Sequence, residues 1–265
     1  MEVVKLNSAR NCFKYLIKSL EIKEIYIPYY LCSCIRHIAF SEGCKINFYH
    51  INKDFSPVCI FSKNSYILYP NYFGICSNIV KNLSQDYPNL IVDNSHSFYS
   101  KHTGIASFNS LRKFFSQIRD GGFLYITKNT FLNIDIDDYF YMPKNLDYSE
   151  VCKNEQRIDN LEMKIMSDTT YKLFKTIDLN IEKIKRRKNF EKLHKIYSDT
   201  NLLKINLDNE DVPFCYPYLA QCNNDADCLV NELTDRGITI YRYWDNMPEV
   251  YLENIFYKRL VAIPI

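Results

Sequence analysis

Glycine is scarce in this sequence. Six glycines occur among 265 residues, at positions 43, 74, 104, 121, 122 and 237. Neither G-x-G-x-x-G nor G-x-x-x-x-G-K-S/T can be drawn through those positions, and these are the two commonest phosphate-binding patterns that glycine builds. The sequence therefore excludes the usual dinucleotide fingerprint and the P-loop as the basis of a phosphate site.

An excess of charge of either sign is also absent. The chain has 33 Lys+Arg against 31 Asp+Glu, a net charge of +2, which gives no electrostatic case for nucleic acid or a membrane surface as a partner. The basic run at 183–188 is predicted to be a solvated helix face, because its flanks are acidic, with a nucleic-acid patch as the alternative. The sequence contains no run of about 18 uncharged apolar residues, so we predict no transmembrane helix. The N-terminus lacks the apolar stretch of a signal peptide, so we expect a cytoplasmic protein.

Cysteine, by contrast, is abundant, with ten residues. In a cytoplasmic chain we expect these thiols to be reduced and mostly buried. Cys32, Cys34 and His37 come nearest to a metal-binding pattern. Their spacing is not C-x-x-C and no second pair follows at a zinc-finger distance, so we predict no metal site.

Hydrophobicity patterns predict an α/β fold. Hydrophobic residues make up 47% of the chain and charged residues 24%, the balance of a globular protein of one large domain or two modest ones. Short apolar segments alternate with amphipathic ones, which favours a mostly parallel sheet. The predicted strands cover 24–28, 45–50, 65–69, 90–93 and 122–126, and the predicted helices cover 8–20, 32–40 and 76–83. Residues 128–165 show no regular pattern.

The rest of the chain predicts a long helix and a small α+β unit. The long helix covers 171–197, and the unit comprises an extended segment at 212–218, a helix at 226–236 closed by Gly237, and strands at 238–243 and 260–263. We therefore predict a large domain over 1–165, followed by a linking helix and a small C-terminal domain over 166–265.

Candidate functional residues follow the ends of predicted strands, where open parallel sheets bind ligands. Asp93 ends the strand at 90–93, His96 comes three residues later, and Lys113 lies 20 residues after Asp93. Taken singly, these residues are explained as a helix cap, a core histidine and one member of a surface pair with Arg112. The segment 120–122 (DGG) indicates by itself only a hairpin turn. The order of all these pieces is more informative than any one of them.

In that order the pieces resemble the pyridoxal-phosphate-dependent enzymes of fold type I, and within them the sugar aminotransferases of the DegT/DnrJ/EryC1/StrS type. The matching segments are NSARN (7–11), IPYYLCSCI (27–35), FYHI (48–51), YPNYFG (69–74), IVDNSHS (91–97), SLRKFF (110–115), DGG (120–122) and RLVAIPI (259–265). The resemblance is strongest over 69–127 and faint over 128–210. It implies a large domain built on a mostly parallel sheet and a small α+β C-terminal domain.

The resemblance implies three catalytic residues around a pyridoxal 5'-phosphate cofactor. Lys113 matches the family lysine that links covalently to the cofactor. Asp93 matches the acid beside the pyridine nitrogen, where a charged hydrogen bond contributes roughly 1.5–3 kcal/mol. His96 matches the Gln/His position that donates to the phenolic oxygen of the ring.

Further cofactor contacts are implied in the same way. The start of the first helix, formed by Ser8, Ala9 and Arg10, together with Ser110, would bind the phosphate. Cys32 stands where many relatives have an aromatic residue covering the ring, and Tyr30 lies two residues earlier. Which of these two side chains covers the ring stays open.

The implied function is an aminotransferase acting on a keto group, for example that of a nucleotide-linked keto sugar for surface polysaccharide. Its partners would be the keto sugar, an amino donor and a second copy of the chain, because this fold class builds its site at a two-fold interface. The alternatives are a catalytically degenerate protein that serves as a binding partner, and a pyridoxal-phosphate-dependent dehydratase. The degenerate alternative is favoured by a C-terminal unit that ends earlier than in relatives, and by the lack of a recognisable Asn-bearing family segment within 128–180.

Overall fold

The computed structural model describes residues 1–128, 132–141, 148–244 and 247–265. A seven-stranded sheet forms its centre. The strands along the chain are β1 (Glu2–Leu6), β2 (Glu24–Pro28), β3 (Lys45–Tyr49), β4 (Ile67–Pro70), β5 (Leu90–Asp93), β6 (Ala106–Phe108) and β7 (Gly122–Ile126). They lie in the order β1-β7-β6-β5-β4-β2-β3. Strand β7 is antiparallel to both of its neighbours, and the other pairs are parallel, so the predicted mostly parallel sheet is confirmed.

The five strands predicted between residues 24 and 126 all appear in this sheet, which also contains two strands, β1 and β6, that were not predicted. The bounds of β2, β5 and β7 agree with the prediction, and those of β3 and β4 differ by one or two residues. Strand β6 has three residues, too few to show a period. Strand β1 lies at the sheet edge with Val3 half-exposed, so its apolar residues do not alternate with polar ones in the way that half-buried strands do.

Helices cover the sheet and continue into the C-terminal part. They are α1 (Ala9–Ser19), α2 (Ser33–Ser41), α3 (Ser77–Asp86), α4 (Leu111–Phe114), α5 (Tyr148–Asp159), α6 (Asp168–Lys175), α7 (Leu179–Tyr197), α8 (Asn223–Asp235) and α9 (Asn254–Arg259). The predicted first three are confirmed. Ser8 caps α1, as its extended backbone (φ −161°) lets its side chain accept a hydrogen bond from the Asn11 amide. Within the described residues, no helix has the length and apolar character required to cross a bilayer.

Three predictions about the later part of the chain were wrong in detail. The helix predicted over 171–197 is two helices, α6 and α7, because Asp178 adopts an extended backbone and caps α7 by accepting from the amides of Asn180 and Ile181. Helix α5 lies inside the segment that showed no pattern. The strand predicted over 238–243 is reduced to one bridge, between Tyr241 and Ala262.

The C-terminal unit packs against the central sheet. Its two strands, β8 (Cys215–Leu219) and β9 (Leu260–Pro264), pair antiparallel. Gly237 ends α8 as predicted: its positive φ of 79° lets its amide donate to the Thr234 carbonyl at 2.8 Å. One apolar cluster joins Tyr69 of the large sheet to Tyr216 and Ile263 of the small one. The division of the chain between 165 and 166 stays a prediction.

Candidate active site

A cleft opens at the carboxyl ends of the central parallel strands, where a ligand site is expected. It holds about 650 Å³ of space, part of it open to solvent. Its walls come from the ends of β4 and β5, the starts of α1 and α2, the short helix α4 and the turn before β7. The lining residues used below are Ser8, Ala9, Arg10, Cys32, Cys34, Asp93, Ser95, His96, Ser110, Arg112, Lys113, Gly121, Ile158 and Trp244.

Asp93 places a buried carboxylate at the floor of the cleft. It is the last residue of β5, and its Oδ1 accepts a hydrogen bond of 2.8 Å from the Ser95 amide. Burial raises the pKa of Asp93, while the Ser95 hydrogen bonds and the charge of Lys113 act in the opposite direction. A cationic N–H group placed next to Asp93 would therefore stabilise the ionised form of its carboxylate.

Lys113 and His96 form the second feature of the cleft. Nζ of Lys113 lies 2.8 Å from Nε2 of His96. Burial in the cleft lowers the pKa of both side chains, and the positive charge of Arg112 adds to the effect on each. A neutral His96 can accept a hydrogen bond at Nε2 from the Lys113 amine, and a neutral Lys113 is a nucleophile.

The imidazole of His96 is held between aromatic rings. It stacks on Phe214 at 4.5 Å and 8° and on Trp244 at 5.6 Å and 6° between ring planes. Phe73 adds a third stacked ring at 5.6 Å. This packing fixes the ring orientation, so Nε2 points steadily at the lysine.

The start of α1 forms one end of the cleft. Ser8, Ala9 and Arg10 all line it, and Ser110 lies on the same wall. A side chain at Gly122 would meet the Ala9 amide nitrogen at 3.0 Å, so glycine there allows the helix start to pack directly on β7. Nε and Nη1 of Arg10 are buried and have no hydrogen-bond partner among the described residues. The helix N-terminus and these donors suit a phosphate group.

Comparison with known proteins identifies the fold. No protein-family model matches the chain, and no curated protein matches it. Among solved structures, the aminotransferase TlmJ from Streptoalloteichus hindustanus gives a TM-score of 0.67 at 12% identity, covering 99% of this chain and 80% of that one. PseC of Helicobacter pylori, an aminotransferase involved in pseudoaminic acid biosynthesis, gives 0.64 at 15% identity, covering 100% and 81%. NtdA of Bacillus subtilis, with bound cofactor PMP, gives 0.65 at 12% identity, covering 100% and 68%.

This chain has the fold of these aminotransferases. The expected architecture, fold type I with a mostly parallel sheet, is thereby confirmed. The aminotransferase fold also explains why the site combines distant pieces of sequence. Only two strands, β7 and β6, lie between β1 and β5 in the sheet. The start of α1, which follows β1, therefore lies near the end of β5 and near helix α4.

The fold settles the position of the two residues left open for covering the ring. Cys32 lines the cleft, with its Sγ 2.9 Å from that of Cys34. Tyr30 lies behind the wall, fully buried, and its hydroxyl donates to the Tyr243 carbonyl at 3.0 Å. Of the residues predicted to contact the cofactor, Tyr30 is therefore the one that the structure sets apart from the cleft.

Two residues of the site, Trp244 and Glu155, were not predicted from the sequence. Trp244 is the single tryptophan of the chain and carries no motif, so no sequence signal marks it. Glu155 of α5 pairs with Arg112 through both carboxylate oxygens and with Arg10 at 3.2 Å. Burial alone would raise the pKa of Glu155, but Arg112 and Arg10 hold it below its usual value. These ion pairs fasten α5 across the mouth of the cleft, where Ile158 also lines it.

Proposed function

We propose that this chain binds pyridoxal 5'-phosphate and is an aminotransferase. The observation that carries the proposal is the contact of Lys113 Nζ with a neutral His96, in the same cleft as the carboxylate of Asp93. A reactive amine, an acid at a strand end and a helix N-terminus are the three features that this cofactor requires.

The residues of the cleft fit the cofactor. Ser8, Ala9 and Arg10 would hold its phosphate with helix N–H groups and a guanidinium, and Ser110 would add a hydroxyl. Asp93 would pair with the pyridine nitrogen, and the small Ser95 leaves space beside it. When bound, pyridoxal phosphate supplies a carbonyl group that amines attack and a ring that withdraws electrons from the attached substrate.

The chain's own residues would handle the protons. Lys113 would give and take a proton at Nζ, since burial brings its pKa closer to neutrality. His96, held by its aromatic neighbours, would accept from that amine and keep it oriented. Asp93 would stay ionised opposite a cationic nitrogen.

The proposed substrates are a keto sugar, for example one carried on a nucleotide, and an amino donor. Support comes from the resemblance in sequence and from the shared fold, whose members include an aminotransferase involved in pseudoaminic acid biosynthesis. A role in surface polysaccharide synthesis belongs to the same proposal.

Titration of the purified chain with pyridoxal phosphate tests the proposal. We expect a visible absorption band and, after borohydride reduction, a stable adduct that mass spectrometry locates on Lys113. Lys113→Ala should lose both while keeping its circular dichroism. The control Lys101→Ala, at a side chain that is 82% exposed, should keep both. An adduct spread over surface lysines, unchanged in Lys113→Ala, would refute the proposal.

A second measurement tests aminotransfer itself. A panel of amino acids is added to the cofactor-loaded protein. Loss of the visible band together with release of the matching keto acid is the expected outcome. Cofactor binding without conversion by any donor would instead identify the catalytically degenerate alternative.

A further inference from the structure

Two cysteines lie side by side on the wall of the cleft. The Sγ atoms of Cys32 and Cys34 are 2.9 Å apart, and both side chains are partly exposed to the cleft. A disulfide bond measures about 2.05 Å, so the sulfurs would need to approach by roughly 0.9 Å. Neither thiol has a part in the proton chemistry proposed above.

The surroundings of Cys32 favour its thiolate. Cys32 is the N-cap of the nine-residue helix α2, whose positive dipole end stabilises an anion. A hydrogen bond from the Cys34 thiol, followed by the charges of Lys113 and Arg10, lowers the pKa of Cys32 to about 6, against the effect of burial. The shared hydrogen bond and burial raise the pKa of Cys34. One sulfur is thus poised to attack and the other to supply its proton.

We propose that Cys32 and Cys34 form a redox-active dithiol, a site of reversible oxidation within the cofactor cleft. The oxidant is a hydroperoxide, with hydrogen peroxide as the simplest member. The Cys32 thiolate attacks one peroxide oxygen, forming an S–O bond and breaking the O–O bond, and the released hydroxide takes a proton to become water. The sulfur of Cys34 then attacks that sulfur, an S–S bond forms and the S–O bond breaks, and the leaving hydroxide takes the proton of the Cys34 thiol and departs as a second water. Two thiols lose two electrons and two protons, and the peroxide is reduced.

Oxidation would change the reactivity of Lys113, a consequence that rests on the proposed function. The negative charge of Cys32 raises the pKa of Lys113. Forming the disulfide removes that charge, so the neutral amine persists to lower pH. The oxidised chain should therefore attach pyridoxal phosphate at a lower pH than the reduced chain.

The primary experiment maps thiols and needs no cofactor. Reduced protein receives hydrogen peroxide at about one equivalent, free thiols are alkylated, and peptides are weighed. We expect the peptide with residues 32–34 to lose two hydrogen atoms and take up no alkylating reagent, and dithiothreitol to reverse both changes. Cys32→Ser and Cys34→Ser should each abolish that product, whereas the control Cys59→Ser, at an exposed thiol, should retain it.

Two outcomes would overturn the proposal. One is that the exposed thiols of Cys59, Cys222 and Cys228 are oxidised while Cys32 and Cys34 stay open to alkylation. The other is that Cys32 is oxidised alone, to a sulfinic acid, with Cys34 unchanged.

The second experiment compares the pH midpoint of pyridoxal phosphate attachment in reduced and oxidised protein. A lower midpoint after oxidation, absent in Cys34→Ser, supports the link to Lys113, and an unchanged midpoint contradicts it. If the disulfide forms but reduced protein attaches no cofactor, the proposed function fails and the dithiol stands. If cofactor attaches but no disulfide forms, the dithiol fails alone.

Discussion

Lys113 owes its expected reactivity to its neighbours. A free lysine has a pKa near 10.4 and is almost wholly protonated at neutral pH. Burial in the cleft, together with Arg112, lowers the pKa of Lys113, and His96 offers an acceptor at 2.8 Å. Because the pKa of a base is lowered, its neutral form persists to lower pH than in the unfolded chain.

We therefore expect pyridoxal phosphate to attach to Lys113 with a pH midpoint below about 10.4, and attachment to fall off as acid protonates the amine. Attachment rates measured across pH, with adducts assigned by mass spectrometry, check this. Exposed Lys101 provides the internal comparison and should react mainly at alkaline pH. A common pH profile for both lysines would contradict the prediction.

Asp93 should separate cofactor attachment from catalysis. Asp93→Asn keeps the shape of the side chain and its contact with the Ser95 amide but removes the charge opposite the pyridine nitrogen. We expect Lys113 to attach the cofactor still, and aminotransfer to fall by more than tenfold, because a charged hydrogen bond of roughly 1.5–3 kcal/mol is lost. Single-turnover kinetics measure the rate, and equal rates in the variant and the wild type would exclude this role.

The sequence predicted the site residues that follow strand ends. It did not predict the residues that reach the cleft from the C-terminal part of the chain. Asp93, His96 and Lys113 sit within 21 residues of one another and are placed by β5, β6 and α4. Trp244 reaches the same cleft from the C-terminal part, through packing on His96. No local pattern encodes such a contact, because it depends on how two parts of the chain pack together.

At the scale of the elements, helix α5 is attached to the rest of the molecule mainly by ion pairs and hydrogen bonds. Glu155 binds Arg10 and Arg112, Arg157 binds Asp120, and Asn154 binds the Arg119 carbonyl. Its sequence has many charges and few apolar residues, so hydrophobic periodicity could not predict it. The helix predicted over 171–197 was too long because the hydrophobic pattern is continuous there, and only the cap at Asp178 separates the two helices.

Glu155→Ala should release α5 from the cleft. The two arginines would lose their shared partner, but the Glu155 side chain is 37% exposed and solvent screens part of the loss. We expect a decrease of about 1 kcal/mol in the free energy of unfolding, smaller at high salt. Urea denaturation at two salt concentrations measures it. Glu249→Ala removes an exposed carboxylate that pairs with Lys258, and as the control it should leave the free energy of unfolding nearly unchanged. A loss that is equal in both variants would contradict the role of α5.

At the scale of the whole molecule, one buried carboxylate ties the C-terminal part to the sheet. Glu253 is fully buried and accepts from the Ile51 amide at 2.7 Å, while Nδ1 of His50 lies 3.0 Å away. Glu253→Ala leaves that amide without its partner and should lower the free energy of unfolding by about 1.5–3 kcal/mol. Thermal denaturation checks it against Glu232→Ala, which removes a surface pair with Arg236 and should be nearly neutral. Equal losses of stability in the two variants would refute this role of Glu253.

We expect the chain to be a homodimer. The resemblance places the cofactor site of this fold class at a two-fold interface, and the 22 Tyr and 17 Phe of the chain suit a large self-complementary contact. Light scattering over a wide concentration range measures the mass. A constant mass of 31.5 kDa would show a monomer and refute the expectation.

The overall architecture was predictable because strands and helices alternate in the sequence and each strand is short and apolar. The assignment of Tyr30 or Cys32 to the cleft was not, because both follow β2 and only the turn after Pro28 decides which one faces inward. The strand predicted over 238–243 was wrong because Tyr243 packs against His96, and only Tyr241 bridges to Ala262.

The pairing of β1 with β7 has a consequence for the order of folding. Glu2 lies opposite Ile126 and Leu6 opposite Gly122, and the Gly121 amide donates to the Asn7 carbonyl. The residue that follows is Ser8, so the end of the cleft that we propose to bind phosphate forms only after β1 has paired with β7. Pairing residues so far apart in sequence costs loop-closure entropy, so we expect this pairing to form late in folding. A nascent chain should therefore be unable to bind the proposed cofactor until more than 126 residues have left the ribosome, and added pyridoxal phosphate should speed only the final phase of refolding.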